Sequence, residues 1–302
     1  MVYSDLRTRT QRWSKRHESD LREIGFSLYL LRQNRLTVAG FLIFAGLVAV
    51  ALFADFIAPY SPYAVDLSTK FLPPSVAHLF GTDELGRDIF SRVVHGSRIS
   101  LVVGAVVVSI ASTIGVFVGG IAGFYGGKID ELIMRVTDVF LAFPSIVLAL
   151  AVGSALGAGI QNVTIALAFS WWPWYARLVR GQVLTIRETQ YVEAAASIGG
   201  GNFHIITKHV LPNCVAPIIV NASMDLGYVI LAAASLGFLG IGAQPPMPEW
   251  GLMISIGRLY AIDYWWLATF PGFAIMVSVL AFNLVGDGLR DVLDPRLRRF
   301  GR

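Results

Sequence analysis

The stretch VFLAFPSIVLALAVGSALGAGIQNVTIALAFSWWPWYA, residues 139–176, places 38 residues between Asp138 and Arg177 without one formal charge. A helix needs about 20 apolar residues to cross a hydrocarbon core about 30 Å thick, so this run suffices for two crossings. Gly157-Ala158-Gly159 in its middle predicts the turn between them. Outward from it the same pattern repeats. Arg35 and Asp55 enclose 19 uncharged residues, and Arg98 and Lys128 enclose 29. Asp225 and Glu249, then Asp263 and Asp287, enclose 23 each. These runs predict helices near 37–57, 99–123, 137–157, 161–178, 214–241 and 266–286. A soluble protein with buried helices would need shorter ones beside amphipathic partners with charged faces, whereas nearly every long element here is apolar all round. Barrel strands alternate over roughly ten residues, and these runs are continuous. The expected fold is an all-α integral membrane protein with six transmembrane helices; five or seven spans are the nearest alternatives.

Composition agrees. Charged residues make up 15% of the 302 and hydrophobic ones 55%, with a mean hydropathy of +0.63, where soluble domains carry about 25% charge. That excludes a disordered chain, a basic nucleic-acid-binding domain and a water-soluble enzyme of average composition. If residues 1–36 are cytosolic, 19 of the 24 Lys and Arg residues fall on the cytosolic side and five on the other. The positive-inside rule then favours two cytosolic termini, and the net charge of +4 requires no nucleic acid. The first apolar stretch is too long for a signal peptide's apolar region and is read as a retained helix. The division expected is a cytosolic segment over 1–36, a transmembrane domain over 37–289 and a basic cytosolic tail over 290–302. Trp13 and the run Phe26–Leu31 suggest a short interfacial helix in the first segment, a solvated tail being the other reading.

Between the first two spans, Pro59, Pro62, Pro73 and Pro74 argue for irregular chain. Residues 81–98 then read as an amphipathic helix on the external membrane face. Leu85, Ile89 and Val93 recur every four residues, Asp88 and Arg92 form an i,i+4 pair and Thr82 is the cap. In the second span Gly115, Gly119, Gly123 and Gly127 recur at a four-residue interval, predicting one bare face for helix packing. Gly126-Gly127-Lys128 fails as a phosphate loop, because Ala122 and Ile129 stand where glycine and a hydroxyl are needed. Pro144, Pro173, Pro217 and Pro271 predict bends. Trp171, Trp172, Trp174, Tyr175, Trp265 and Trp266 are read as headgroup-layer anchors. Cys214 is a lone thiol, read as packing, and His95 has no histidine or cysteine near it in sequence, so no metal site is expected.

Asp225 lies midway along the fifth predicted helix. A carboxylate there costs roughly 2.5–3.5 kcal/mol on insertion scales, so it should face a water-filled path or a polar partner. Asn221 and Tyr228 would share its face as pathway-lining candidates; a structural hydrogen bond to a neighbouring helix is the other reading. The segment 187–212 is the other unusual feature. Tyr191–Ile198 forms a helix with a bare alanine surface, Gly199-Gly200-Gly201 break it, a second short helix runs from Asn202 to Val210, and Pro212 turns the chain into the next span. Such a knob can enter a cleft on another protein.

Glu193-Ala194-Ala195, then Gly199, then Leu211-Pro212 resemble the E-A-A–x3–G–x9–I–x–L–P signature of importer-type ABC transporter permeases, with His209 at the isoleucine position. The resemblance implies that this loop docks into nucleotide-binding subunits. Glu193 would make the polar contact, Ala194 and Ala195 would fit the cleft and Gly199 would allow the turn. Leu211 and Pro212 would set the exit, and His209 leaves its own contact open. Over roughly 33–300 the chain is similar to C-type permeases of the dipeptide, oligopeptide and nickel importers. The similarity is carried by Phe56–Tyr60, Gly81–Asp88, Leu239–Pro246, Pro248–Gly251, Leu280–Asp291 and Leu293–Pro295. It implies a non-catalytic subunit of a bacterial inner-membrane importer. The partners would be a homologous B-type permease, two ATP-binding subunits that hold ATP and Mg, a substrate-binding protein and membrane lipid. This chain itself would bind no cofactor or metal. Di- or oligopeptides are the expected cargo, with nickel or glutathione as alternatives on the same architecture. An ion-gradient-driven secondary transporter is the reading from another class; it predicts paired inverted repeats, and none is evident.

Overall fold

The computed structural model describes residues 34–293. The interfacial helix expected within 1–36 and the end of the 290–302 tail lie outside the described residues. Helix α1 (Arg35–Leu52) starts where the Asn34 side chain accepts hydrogen bonds from the Leu36 and Thr37 amides at 3.0 and 3.4 Å. It stops at Phe53, and one short turn, α2 (Ala54–Ile57), follows. After an irregular stretch come α3 (Ile89–Tyr125), α4 (Gly127–Leu141), α5 (Ser145–Leu156) and α6 (Ile160–Arg187). Next are α7 (Gln190–Ser197), α8 (Asn202–Ile205), α9 (Leu211–Phe238), α10 (Trp250–Gly257) and α11 (Trp266–Leu293). Among the described residues the only β pairing is an isolated bridge between Thr82 and Asp88. The protein is an all-α, multi-span membrane chain.

Among the described residues four helical stretches are long and apolar enough to cross a membrane: 35–52, 89–125, 202–238 and 266–293. The expected helix 137–157 is instead two helices, α4 and α5, meeting at 84° around Phe143-Pro144; counted as one broken span they make a fifth. The break has a local cause. Pro144 has no amide hydrogen for the preceding turn, and its ring excludes the helical conformation from the residue before it. Pro173, Pro217 and Pro271 sit inside continuous helices. The expected 161–178 helix lies within α6, which is long enough but too rich in polar and indole side chains to join the apolar set. Gly157 and Gly159, at φ of +92° and +153°, make the turn before it.

The expected helix over 81–98 is corrected. Residues 81–88 form a tight turn, with Gly81 and Gly86 at φ of +76° and +73°, and the helix begins at Ile89. Thr82 is no cap: its hydroxyl donates to the Thr69 carbonyl at 2.5 Å and accepts from the Leu72 amide at 2.8 Å. Asp88 caps instead, accepting from the Ser91 amide at 2.7 Å, and its other oxygen meets His78 Nδ1 at 3.0 Å rather than Arg92. Arg92 is buried and donates to the Pro62 carbonyl at 2.8 Å. Arg87 pairs with Asp83 at 2.6 Å and Glu84 at 2.8 Å. Buried charges persist only when paired and hydrogen-bonded, and this network supplies both. Burial, then the charge of Asp83, holds the Glu84 carboxyl above its ordinary range. Glu249 caps α10 from a buried position, accepting from the Gly251 and Leu252 amides at 2.9 and 2.8 Å.

The most extensive helix pairing is α3 against α6. A Cβ on Gly115 would collide with the Tyr175 side chain, one on Gly119 with the Ala176 carbonyl, and one on Gly123 would sit 2.9 Å from Val183. Gly127 is corrected: it lies past the end of α3, at φ of +54°, with nothing nearby, so it opens α4 and takes no part in the packing face. Lipid tails are as apolar as leucine, so close backbone approach and dispersion, not water exclusion, hold such helices together. The opposite face of α3 exposes Val102, Val106, Ile110, Ile114, Phe117 and Ile121, the stripe expected of a lipid-facing surface. A core of Val107, Ala111, Ala149, Leu167, Val229 and Leu236 joins α3, α5, α6 and α9.

Gly119→Val should therefore destabilise the subunit by about 1–3 kcal/mol, in the range of overpacked cores. Gly46→Ala, with open space at its Cβ, should change nothing. Thermal unfolding in detergent, followed by monodispersity, checks both.

Candidate functional site

Helix α6 presents Trp171, Trp174, Tyr175 and Leu178 at i, i+3, i+4 and i+7, which places them on one face. Helix α9 presents Asn221, Asp225 and Tyr228 on one face by the same rule. The two faces, with Ser145 at the start of α5 and Arg177 at the rim, enclose a cavity of about 650 Å³. The three residues expected to line a pathway are thus brought into one cavity wall. Asp225 is half-buried, with Tyr175 and Trp171 as its polar neighbours. Among the described residues no Lys, Arg or His pairs with it. Arg177 is engaged elsewhere, donating to Asp138 at 2.6 Å. Asn221 donates to the Pro217 carbonyl at 2.9 Å, and Trp174 Nε1 donates to Ser145 Oγ at 3.4 Å.

The aromatic residues are where sequence reasoning missed the site. Trp171, Trp174 and Tyr175 line the cavity, a place the headgroup-anchor reading did not foresee. Trp266 is buried, donating to the Thr82 carbonyl at 3.3 Å. The helical spacing of Trp171, Trp174, Tyr175 and Leu178 carried the signal; dense aromatics near a predicted span end masked it.

At the other end of α6, α7 leads to Gly199 at φ of +86°, a left-handed position that favours glycine. Val192, Ile205 and Val210 turn inward and pack with Val179, Val183 and Cys214. Glu193 and Ala194 are exposed and Ala195 is half-buried; Ile198 and Phe203 stand 88% and 79% exposed, leaving an apolar tip bare. The expected separate helix over 202–210 is corrected. It runs through a π-turn (Ile206–Val210) straight into α9, and Pro212 lies in the first turn of α9 without turning the chain. Proline has no amide hydrogen to bond the turn before it, and the π-turn lies directly ahead of Pro212. Leu211 reaches Gly120 of α3, while His209 rests against His204 with ring centroids 5.6 Å apart. Arg187 donates to the Gly123 and Phe124 carbonyls at 3.2 and 3.1 Å, closing the C-terminal end of α3. Arg180 forms two hydrogen bonds with Asp130, at 2.5 and 2.6 Å, tying α6 to α4. Among the described residues no three His, Cys, Asp or Glu side chains are placed to hold a metal ion.

Residues 115–299 match the family described as binding-protein-dependent transport system inner membrane component. Residues 28–74 match the N-terminal TM domain of oligopeptide transport permease C. The chain is a C-type ABC permease subunit of the dipeptide, oligopeptide and nickel importer family. It is 46% identical over 269 residues to the probable D,D-dipeptide transport system permease protein of Escherichia coli K12, covering 89% of this chain and 90% of the relative. It is 47% identical over 268 residues to the dipeptide transport system permease protein of Alkalihalophilus pseudofirmus, covering 89% and 88%. It is 48% identical over 268 residues to the glutathione transport system permease protein of Escherichia coli O6:K15:H31, covering 88% of each. As a permease subunit of that family it is a non-catalytic inner-membrane component.

In the assembled importer, Asn221→Cys should react with a polar maleimide while Cys214, fully buried, stays silent. Labelling followed by mass spectrometry separates the two thiols and reports whether water reaches the cavity.

Proposed function

We propose that this permease subunit forms half of the translocation path of an ATP-driven importer for di- or oligopeptides. Its companions would be a homologous B-type permease, two ATP-binding subunits that hold ATP and Mg, and a substrate-binding protein. The observation that carries the cargo reading is the near-full-length similarity to peptide permeases. Glutathione is the second reading, favoured by the glutathione permease at 48% identity, and is itself a tripeptide. In this reading α4 with α5 forms one span and α6 another, which brings the total to six. Both termini face the cytosol, as the charge asymmetry favours.

The loop 187–212 then docks on the ATPases. Glu193 supplies a polar contact, Ala194 and Ala195 fit a cleft, Gly199 holds the corner, and Leu211 and Pro212 seat the loop on α9. His209 lies beside the contact against His204, its own part in the docking left open. The bare Ile198 and Phe203 support the reading, because monomeric surfaces seldom leave such an apolar tip uncovered. Closure of the ATPases would press on α7 and, through α6, on the wall carrying Trp171 and Tyr175. Alternating access follows if that wall moves against α9. The binding protein would dock over residues 82–98 and 242–262, where the charged network and the Glu249 cap fix the backbone.

Two substitutions test the scheme by ATP-dependent uptake measured beside membrane abundance. Glu193→Ala should lower uptake roughly tenfold, as expected for one lost interface contact of 1–2 kcal/mol. Asp225→Asn should change uptake while leaving abundance intact; equal loss of both would remove Asp225 from the path.

A further inference from the structure

We propose that the cavity between α6 and α9 receives the primary ammonium group of the transported peptide, its free amino terminus, with Asp225 as counter-charge. The inference deepens the pathway reading and rests on it. The walls combine one carboxylate with the rings of Trp171, Trp174, Tyr175 and Tyr228 and the amide of Asn221. A carboxylate in a groove walled by aromatic rings suits an organic ammonium, which takes a charge partner from the acid and ring quadrupoles from the walls. At about 650 Å³ the space falls within the usual range of small-molecule sites, roughly 300–1,000 Å³.

Two further observations point the same way. Tyr175 is 1% exposed, and its hydroxyl, beside the Asp225 carboxylate, closes no hydrogen bond. Buried hydroxyls are nearly always paired, and this one shares the cavity wall with Asp225. An ammonium hydrogen beside Asp225 would supply the missing donor. Among the described residues Asp225 has no basic partner, and Arg177, which lines the same cavity, pairs with Asp138. A bare metal ion fits poorly: Asp225 is the cavity's one acidic lining residue, and no histidine or cysteine accompanies it. The second amide hydrogen and the oxygen of Asn221 remain to meet a peptide group one turn away from the acid.

The test uses the assembled importer in nanodiscs without its binding protein, titrated with dialanine, N-acetyl-dialanine and phosphocholine while tryptophan fluorescence is read. Dialanine should alter the emission and N-acetyl-dialanine should not. Asp225→Asn should weaken dialanine by roughly tenfold or more, the scale of a lost hydrogen-bonded charge partner, while Asp225→Glu stays within about threefold. Tyr228→Ala, on an exposed helical position, should also weaken it and guards against a misfolded Asp225 variant. Equal responses to the free and acetylated peptides overturn the ammonium assignment, as does a response to phosphocholine alone, which would mark a lipid headgroup site. If Asp225→Asn binds dialanine unchanged but alters uptake, the ammonium role falls and the pathway reading stands. If uptake is also unchanged, both fall.

Discussion

The close approach of α3 and α6 across Gly115, Gly119 and Gly123 is the constraint on which the rest of the molecule depends. In a hydrocarbon solvent two apolar helices gain little by meeting, and only intimate backbone contact makes the pairing preferable to lipid. The residues that meet those glycines are Tyr175, Ala176 and Val183. Tyr175 therefore does two things: its Cβ fills the groove left by Gly115, and its ring faces the cavity beside Asp225. Where α6 goes, the cavity wall goes too.

The same helix joins the two candidate sites. Trp171 to Leu178 line the cavity, and about two and a half turns later Arg187 closes the end of α3 as α7 begins. Without an interruption between them, α6 can carry displacement from the 187–212 loop to the cavity as a rigid body. The Asp130–Arg180 pair couples α4 to that motion, and through the 84° corner it reaches α5 and Ser145.

Charge-free runs made the apolar spans readable, because insertion in lipid penalises each charge separately and leaves a record in the linear order. The pathway candidates were readable for the same reason: Asp225 is conspicuous where charge is scarce. Features decided by three-dimensional pairing were hidden. Asp88 and Arg92 look like helical neighbours, yet each finds its partner in distant chain, at His78 and Pro62. Gly127 continues an interval that the helix does not, because α3 ends first. The aromatic wall was visible as composition but not as a surface, since whether a tryptophan faces lipid or a cavity depends on the helix beside it.

The length of α3 has a mechanical corollary. Its 37 residues make a rod of about 55 Å, gripped at Gly119 well away from its middle. About 9 Å of rod lies on the Arg187 side of that grip and about 45 Å on the side of the Asp83–Arg92 network, at 1.5 Å per residue. The closest helix contact therefore lies toward one end of the rod, and the arm that reaches the charged turn is about five times the shorter one.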